Sequence, residues 1–122
     1  MYPLFRLAVG ITKPRNPVLG MYFSGTIVET GTASQRLKVG DEVFGCTGFA
    51  MGTNADYLCV ADSACIIKKP SNLTHTEAAA VPIGALNALH FCDRAKLQSK
   101  ERMLIVGAGG AIGTFAIQFA KL

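Results

Sequence analysis

The chain has 122 residues, a length that suits one ordinary domain, and half of them are hydrophobic while only 16% are charged. That composition supports a packed core and excludes an intrinsically disordered chain. The formal charge is +4, but the basic residues (Lys13, Arg15, Lys68, Lys69, Arg94, Lys96, Lys100, Arg102) are scattered without aromatic interleaving, so no nucleic-acid partner is expected.

The four cysteines are Cys46, Cys59, Cys65 and Cys92. None forms a C-x-x-C pair, so neither a zinc ribbon nor a redox motif is written here. Reduced thiols in a cytoplasmic protein are the expectation. Arg6 and Gly10 interrupt the apolar stretch that a secretory leader would need after Met1. His75 and His90 read as ordinary surface or packed histidines rather than ligands.

In chain order, residues 1–20 carry Pro3, Gly10, Pro14, Pro17 and Gly20 and read as an irregular opening segment. Phe23 to Glu29 predicts a strand, with β-branched Ile27 and Val28, closed by Thr30-Gly31-Thr32. Lys38-Val39-Gly40-Asp41 predicts a tight turn delivering Glu42-Val43-Phe44 into a second strand. Tyr57 to Val60 and Cys65 to Lys68 predict two more, parted by Ala61-Asp62-Ser63. Short strands at close spacing with Gly and Asp turns indicate a small antiparallel sheet or barrel.

The texture changes after Pro70. Thr74-His75-Thr76-Glu77 fits a capping box, in which Thr74 accepts from the Glu77 amide and the Glu77 carboxylate reaches back. A second helix is expected to begin near Val81-Pro82, with proline in its first turn. Leu86, Leu89, His90 and Asp93 share helical spacing, with Asn87 on an adjoining stripe. After a polar connector over 98–102, Met103-Leu104-Ile105-Val106 predicts a strand of the kind buried on both faces of a parallel sheet. Glycines turn the chain over 107–110, and Ile112, Phe115, Ala116 and Phe119 repeat at helical spacing.

From Met103 to Ala120 no side chain is charged, a run of 18 residues that approaches the ~20 of a membrane-spanning helix. Gly107, Gly109, Gly110 and Gly113 interrupt it. Strand, glycine turn and buried helix account for the run more simply, and no membrane span is expected.

Strand, glycine turn and helix in that order are what a dinucleotide site requires. Glycines let the chain turn sharply and let a pyrophosphate approach the main chain. Bare amides at the helix start, at the positive end of its dipole, then face the phosphates. The strict G-x-G-x-x-G pattern fails, because Ile112 holds its sixth position; Gly107-x-x-Gly110-x-x-Gly113 is the spacing that fits. A plain structural elbow gives the same pattern, so the context decides. The acidic residue that grips a ribose about 20 positions on would fall beyond Leu122, leaving NAD and NADP unseparated on the residues alone.

Five segments in order resemble the medium-chain dehydrogenase/reductase superfamily, in its quinone oxidoreductase or zeta-crystallin-like branch. Pro17-Val-Leu-Gly-Met-Tyr-Phe-Ser-Gly25 resembles P-x-(I/L)-G-x-(D/E)-F-A-G, and Lys38-Val-Gly-Asp-Glu-Val-Phe44 resembles (K/R)-x-G-D-x-V-(F/Y). Asn54-Ala-Asp-Tyr-Leu58 is similar to the family's G-x-(F/Y)-A-E-Y strand. Glu77-Ala-Ala-Ala-Val-Pro82 is similar to E-A-A-A-(L/V)-P, and residues 107–121 to A-x-x-G-G-V-G-x-x-A-x-Q-x-A-K.

The resemblance implies an α/β fold: the C-terminal part of a GroES-like substrate-side β domain over 1–80, then a linking helix and the start of a truncated Rossmann dinucleotide-binding domain over 81–122. It implies NADP or NAD as cofactor, NADPH favoured. The pyrophosphate turn would comprise Gly107, Gly109, Gly110, Ala111, Ile112 and Gly113. Asn87 stands where relatives often carry a threonine near the nicotinamide; the alternative is that it only caps or solvates its helix. No catalytic residue is assigned. Zinc-dependent relatives carry Gly-His-Glu where this chain has Gly20-Met21-Tyr22, and closely spaced cysteines after the G-D-x-V turn where it has only Cys46, so no metal is expected.

The activity implied for the parent is hydride transfer to a quinone or activated alkene, by a homodimer acting on small molecules. Relatives begin earlier and continue beyond Leu122, so the chain reads as an internal fragment, with little activity by itself. The rival readings are a non-catalytic cofactor-binding or structural member of the fold, and an alcohol dehydrogenase-like protein.

Overall fold

The computed structural model describes residues 10–13, 16–32 and 34–122; the rest of the irregular segment expected over 1–20 lies outside them. The chain divides into two units, the first ending at Lys69 and the second running Pro70–Leu122.

The first unit is built on three antiparallel strands in the order β1-β2-β3: β1 Tyr22–Thr26, β2 Glu42–Cys46 and β3 Cys65–Lys68. The turn into β2 forms as its sequence predicts. Gly40 takes φ +89, which glycine adopts without a Cβ clash. The Asp41 amide donates to the Lys38 carbonyl at 3.0 Å, and the Lys38 amide donates to Asp41 Oδ2 at 2.9 Å. Register pairs Val43 with Gly25 and with Lys68. Val43 and Ile66 therefore share one face, and with Leu37 they form a buried cluster against which Phe23, Ile27, Val60 and Ala64 pack.

At Ile66 the chain bonds outward. Its amide donates to the Ala64 carbonyl at 2.8 Å, and its carbonyl accepts from Arg36 Nη2 at 2.9 Å. The strand expected at Tyr57 to Val60 does not form. Tyr57 is exposed, and Val60 serves the core through its side chain alone. With no strand beside it among the described residues, the segment has no ladder to join.

In the second unit α1 is His75–Ala80, α2 is Pro82–Ala95 and α3 is Ala111–Phe119. The capping box at α1 is complete: Thr74 Oγ1 accepts from the Glu77 amide, and the Thr74 amide donates to Glu77 Oε2 at 2.8 Å. Pro82 opens α2, and Lys96, left-handed at φ 50, ends it. Its buried residues are Pro82, Gly84 and Ala88, whereas Leu86 and Leu89 are exposed. Small residues thus form the seam to α3, whose buried residues are Gly113 and Ala116.

Met103 to Val106 is not a strand, which corrects the expectation of a buried parallel one. Leu104 and Val106 are 88% and 91% exposed. An apolar run becomes a sheet strand only beside a partner, and the second unit has no other described strand to supply one. No described helix is long and apolar enough to cross a membrane; the uncharged run over 103–120 is irregular chain, a turn and a nine-residue helix.

Candidate functional site

The candidate residues of the second unit gather where α3 begins. Gly107 sits in the left-handed region at φ +79, which reverses the chain. The Gly110 amide donates to the Gly107 carbonyl at 3.0 Å, closing the turn, and the Thr114 amide donates to the Gly110 carbonyl at 2.9 Å, opening the helix. Gly110 is the N-cap with no side chain to bond the first turn. The amides of Ala111, Ile112 and Gly113 therefore point out of the helix start without an acceptor among the described residues. No acidic residue occupies that first turn, so the positive end of the helix dipole stands uncompensated.

The four glycines are there for different physical reasons. Gly107 is required by its φ. Gly113 is required by close approach, since a Cβ there would stand 2.5 Å from the Gly107 carbonyl oxygen and 2.6 Å from Ala108 Cα. Gly109 and Gly110 are required by neither. A Cβ at Gly109 would meet nothing within 4 Å, and one at Gly110 would meet only the Gly107 carbonyl oxygen, at 3.4 Å. The space over these two residues is open, not plugged by side chains. A phosphate-bearing group fits this donor set: backbone amides, a dipole end and room for atoms to reach the main chain.

Asn87 lies on α2, where its Nδ2 donates to the Ile83 carbonyl at 2.9 Å. Its amide is thus turned back on its own helix, and no hydrogen bond joins it to the glycine turn. The two helices meet instead at Gly84, three residues earlier. A Cβ at Gly84 would stand 3.0 Å from the Phe115 ring and 3.2 Å from the Ala111 carbonyl oxygen. The sequence reading passed over Gly84, although an interior helical glycine, costing ~1 kcal/mol relative to alanine, signals a close approach.

Neither described concavity contains the turn. One, of about 800 Å³, lies in the first unit between Ile27–Gly31 and Tyr57–Asp62. The other, of about 260 Å³, lies between Leu97–Ile105 and the end of α3. Among the described residues no three His, Cys, Asp or Glu side chains come together as a metal site would require. Met21 uses its carbonyl, which accepts from the Thr47 amide at 2.9 Å, and Tyr22 is partly exposed.

Residues 5–71 match the family described as the alcohol dehydrogenase GroES-like domain, and the chain belongs to that family, within the medium-chain dehydrogenase/reductase superfamily. Proteins named as quinone oxidoreductases are among those it is similar to. It is similar to the human NAD(P)H oxidoreductase RTN4IP1, mitochondrial, with 37% identity over 109 residues, covering 84% of this chain and 27% of that protein. It is also 31% identical over 121 residues to the probable polyketide synthase 41 of Dictyostelium discoideum, covering 98% of this chain and 5% of that one. Among solved structures it resembles the quinone oxidoreductase from Coxiella burnetii, with TM-score 0.81 and 28% identity over 99% of this chain and 41% of that one. The JamJ enoyl reductase gives TM-score 0.64 and 30% identity, covering 97% of this chain and 35% of that one. The chain thus spans less than half the length of each of these proteins.

Proposed function

We propose that the protein carrying this chain is a nicotinamide-dependent oxidoreductase that transfers hydride to a quinone or an activated alkene without zinc, with NADPH as the favoured donor. The observation that carries the reading is the start of α3: three bare amides beside two glycines, Gly109 and Gly110, that the fold does not itself demand. Glycine there leaves room for a diphosphate, and the helix dipole favours its charge.

When bound, the nicotinamide supplies the hydride. The chain's own part is to hold the donor. The Ala111, Ile112 and Gly113 amides anchor the diphosphate, and anchoring one end fixes where the reactive ring lies. Asn87 is assigned to the nicotinamide end, where release of its bond to Ile83 would free Nδ2 for the ring. Met21 and Tyr22, in place of an imidazole and a carboxylate, support the reading without zinc. The quinone arm is supported by the likeness to the Coxiella enzyme, and the alkene arm by the JamJ enoyl reductase.

The test is binding of NADPH and of NADH to the complete protein, by calorimetry, with and without Gly110→Val. The expected result is tighter binding of NADPH and its loss in the variant. Unchanged binding in Gly110→Val overturns the assignment of the turn. Turnover of a naphthoquinone against an α,β-unsaturated thioester then separates the two acceptors.

A further inference from the structure

Two thiols in the first unit share one register position. Cys46 ends β2, Cys65 begins β3, and the two are direct Cα partners. The Lys69 amide donates to the Glu42 carbonyl at 2.8 Å, which marks the 42/69 position as a hydrogen-bonded pair. Antiparallel pairs alternate, so 44/67 and 46/65 are hydrogen-bonded pairs too. Opposed Cα atoms in such pairs lie about 5.5 Å apart, within the roughly 4.4–6.8 Å span of disulfides, and closing the bond draws their Cβ atoms from roughly 5 Å in to about 4 Å, a local shift of the strand ends. Directly opposed side chains project to the same face, here the one opposite the Val43 and Ile66 core. Both cysteines are free thiols, Cys65 exposed and Cys46 half-buried.

We propose that Cys46 and Cys65 form a peroxide-responsive dithiol site that closes to a cross-strand disulfide. The Cys65 thiolate attacks one oxygen of hydrogen peroxide; the O–O bond breaks, leaving a sulfenic acid on Cys65, and the departing hydroxide takes the thiol proton to become water. The Cys46 sulfur then attacks the sulfenic sulfur; the S–S bond forms, the S–O bond breaks, and the second water leaves with the Cys46 proton. Two thiols lose two electrons and two protons, and one peroxide becomes two waters.

The order of attack follows from position. Cys65 is the exposed thiol. Burial, and then the neighbouring Cys65 thiol, push the Cys46 thiol above its ordinary range, which suits the resolving role rather than the first attack. The bond would close the loop over 47–64, which carries Tyr57 to Asp62, one wall of the larger concavity. Oxidation would therefore fix that wall. Cys59, exposed in the same loop, belongs to no strand and so has no partner held opposite it in register.

The test treats the complete, fully reduced protein with hydrogen peroxide, alkylates it and digests it with chymotrypsin, which cleaves between Cys46 and Cys59 at Phe49, Tyr57 and Leu58, and with the endoproteinase Asp-N, which cleaves before Asp62 and so separates Cys59 from Cys65. The expected product is a dithiothreitol-reversible link between the Cys46 and Cys65 peptides, lost in Cys65→Ser. In Cys46→Ser, dimedone is expected to trap the Cys65 sulfenic acid instead. Three results overturn the proposal: both thiols surviving peroxide, a link to Cys59 as the main product, or dimedone trapping Cys65 in the unsubstituted protein without any link. Because Cys65 is exposed, its serine variant keeps the fold and decides the matter even if Cys46→Ser does not fold.

Discussion

Gly113 lies so close to the Gly107 carbonyl that the two residues leave no room for a methyl group between them. A Cβ at Gly113 would stand 2.5 Å from that oxygen and 2.6 Å from Ala108 Cα, and both neighbours are main chain that cannot swing aside. The helix start is thereby seated on its own turn.

Gly113→Ala is expected to lower the stability of the complete protein by about 1–3 kcal/mol, the usual cost of overpacking. Denaturant unfolding at fixed cofactor concentration measures it. An unchanged midpoint would show that α3 is free to lift from the turn.

Gly109→Ala is expected to behave oppositely. Its φ is not left-handed and its side-chain space is empty, so stability should stay within about 0.5 kcal/mol. If a diphosphate approaches the main chain there, NADPH affinity falls by about tenfold, or ~1.4 kcal/mol. Calorimetry and unfolding on the same preparation separate the two effects. Full affinity in the alanine variant counts against the assignment of Gly109.

Thr74→Ala removes the side-chain oxygen that accepts the Glu77 amide, and its expected cost is about 1 kcal/mol. Thr74→Ser restores an acceptor and should recover most of it. If alanine and serine are equivalent by thermal unfolding, the capping box does not support α1.

Acid should weaken the fold through two carboxylates. The Lys68 ammonium and then the Lys38 amide hold Asp41 below its ordinary value of 3.8. The Thr74 amide and then its hydroxyl hold Glu77 below 4.5. A carboxyl whose folded pKa is depressed contributes stability that is present above its unfolded value and lost as pH falls through the folded one. The loss is therefore expected below about pH 4.5, and it should be small and salt-sensitive because Glu77 is exposed and Asp41 is partly open to solvent. The double variant Asp41→Asn, Glu77→Gln is expected to flatten the acid limb of a stability-against-pH curve. An identical limb in the variant would assign acid sensitivity elsewhere.

How much was legible depended on whether a signal was local. The Lys38–Asp41 turn, the Thr74 capping box, the start of α2 at Pro82 and the glycine turn all follow from residues within a few positions of one another, and each forms as its sequence predicts. The strands expected at Tyr57–Val60 and Met103–Val106 do not form, because a strand needs a partner that its own residues cannot supply. At the candidate site, sequence spacing picked out the four glycines, but only the geometry divides them into two the fold requires and two it does not. Asn87 is singled out only by the family resemblance, and its bond to Ile83 is a detail of rotamer that a sequence does not carry. Gly84 was within reach: a glycine inside a helical pattern is itself evidence of a crowded neighbour.

The Arg36 contact bears on how this molecule behaves in a crowded solution. Ile66 lies in a position where its amide and carbonyl face away from β2, along the side of β3 that no described strand covers. An uncovered edge of that kind templates association with foreign chains. Here the Ala64 carbonyl takes the amide and the Arg36 guanidinium takes the carbonyl, so an intruding backbone finds nothing at Ile66 to grip. Arg36 thereby blunts the margin of the sheet at Ile66 with a cation, one of the means by which exposed edges avoid pairing.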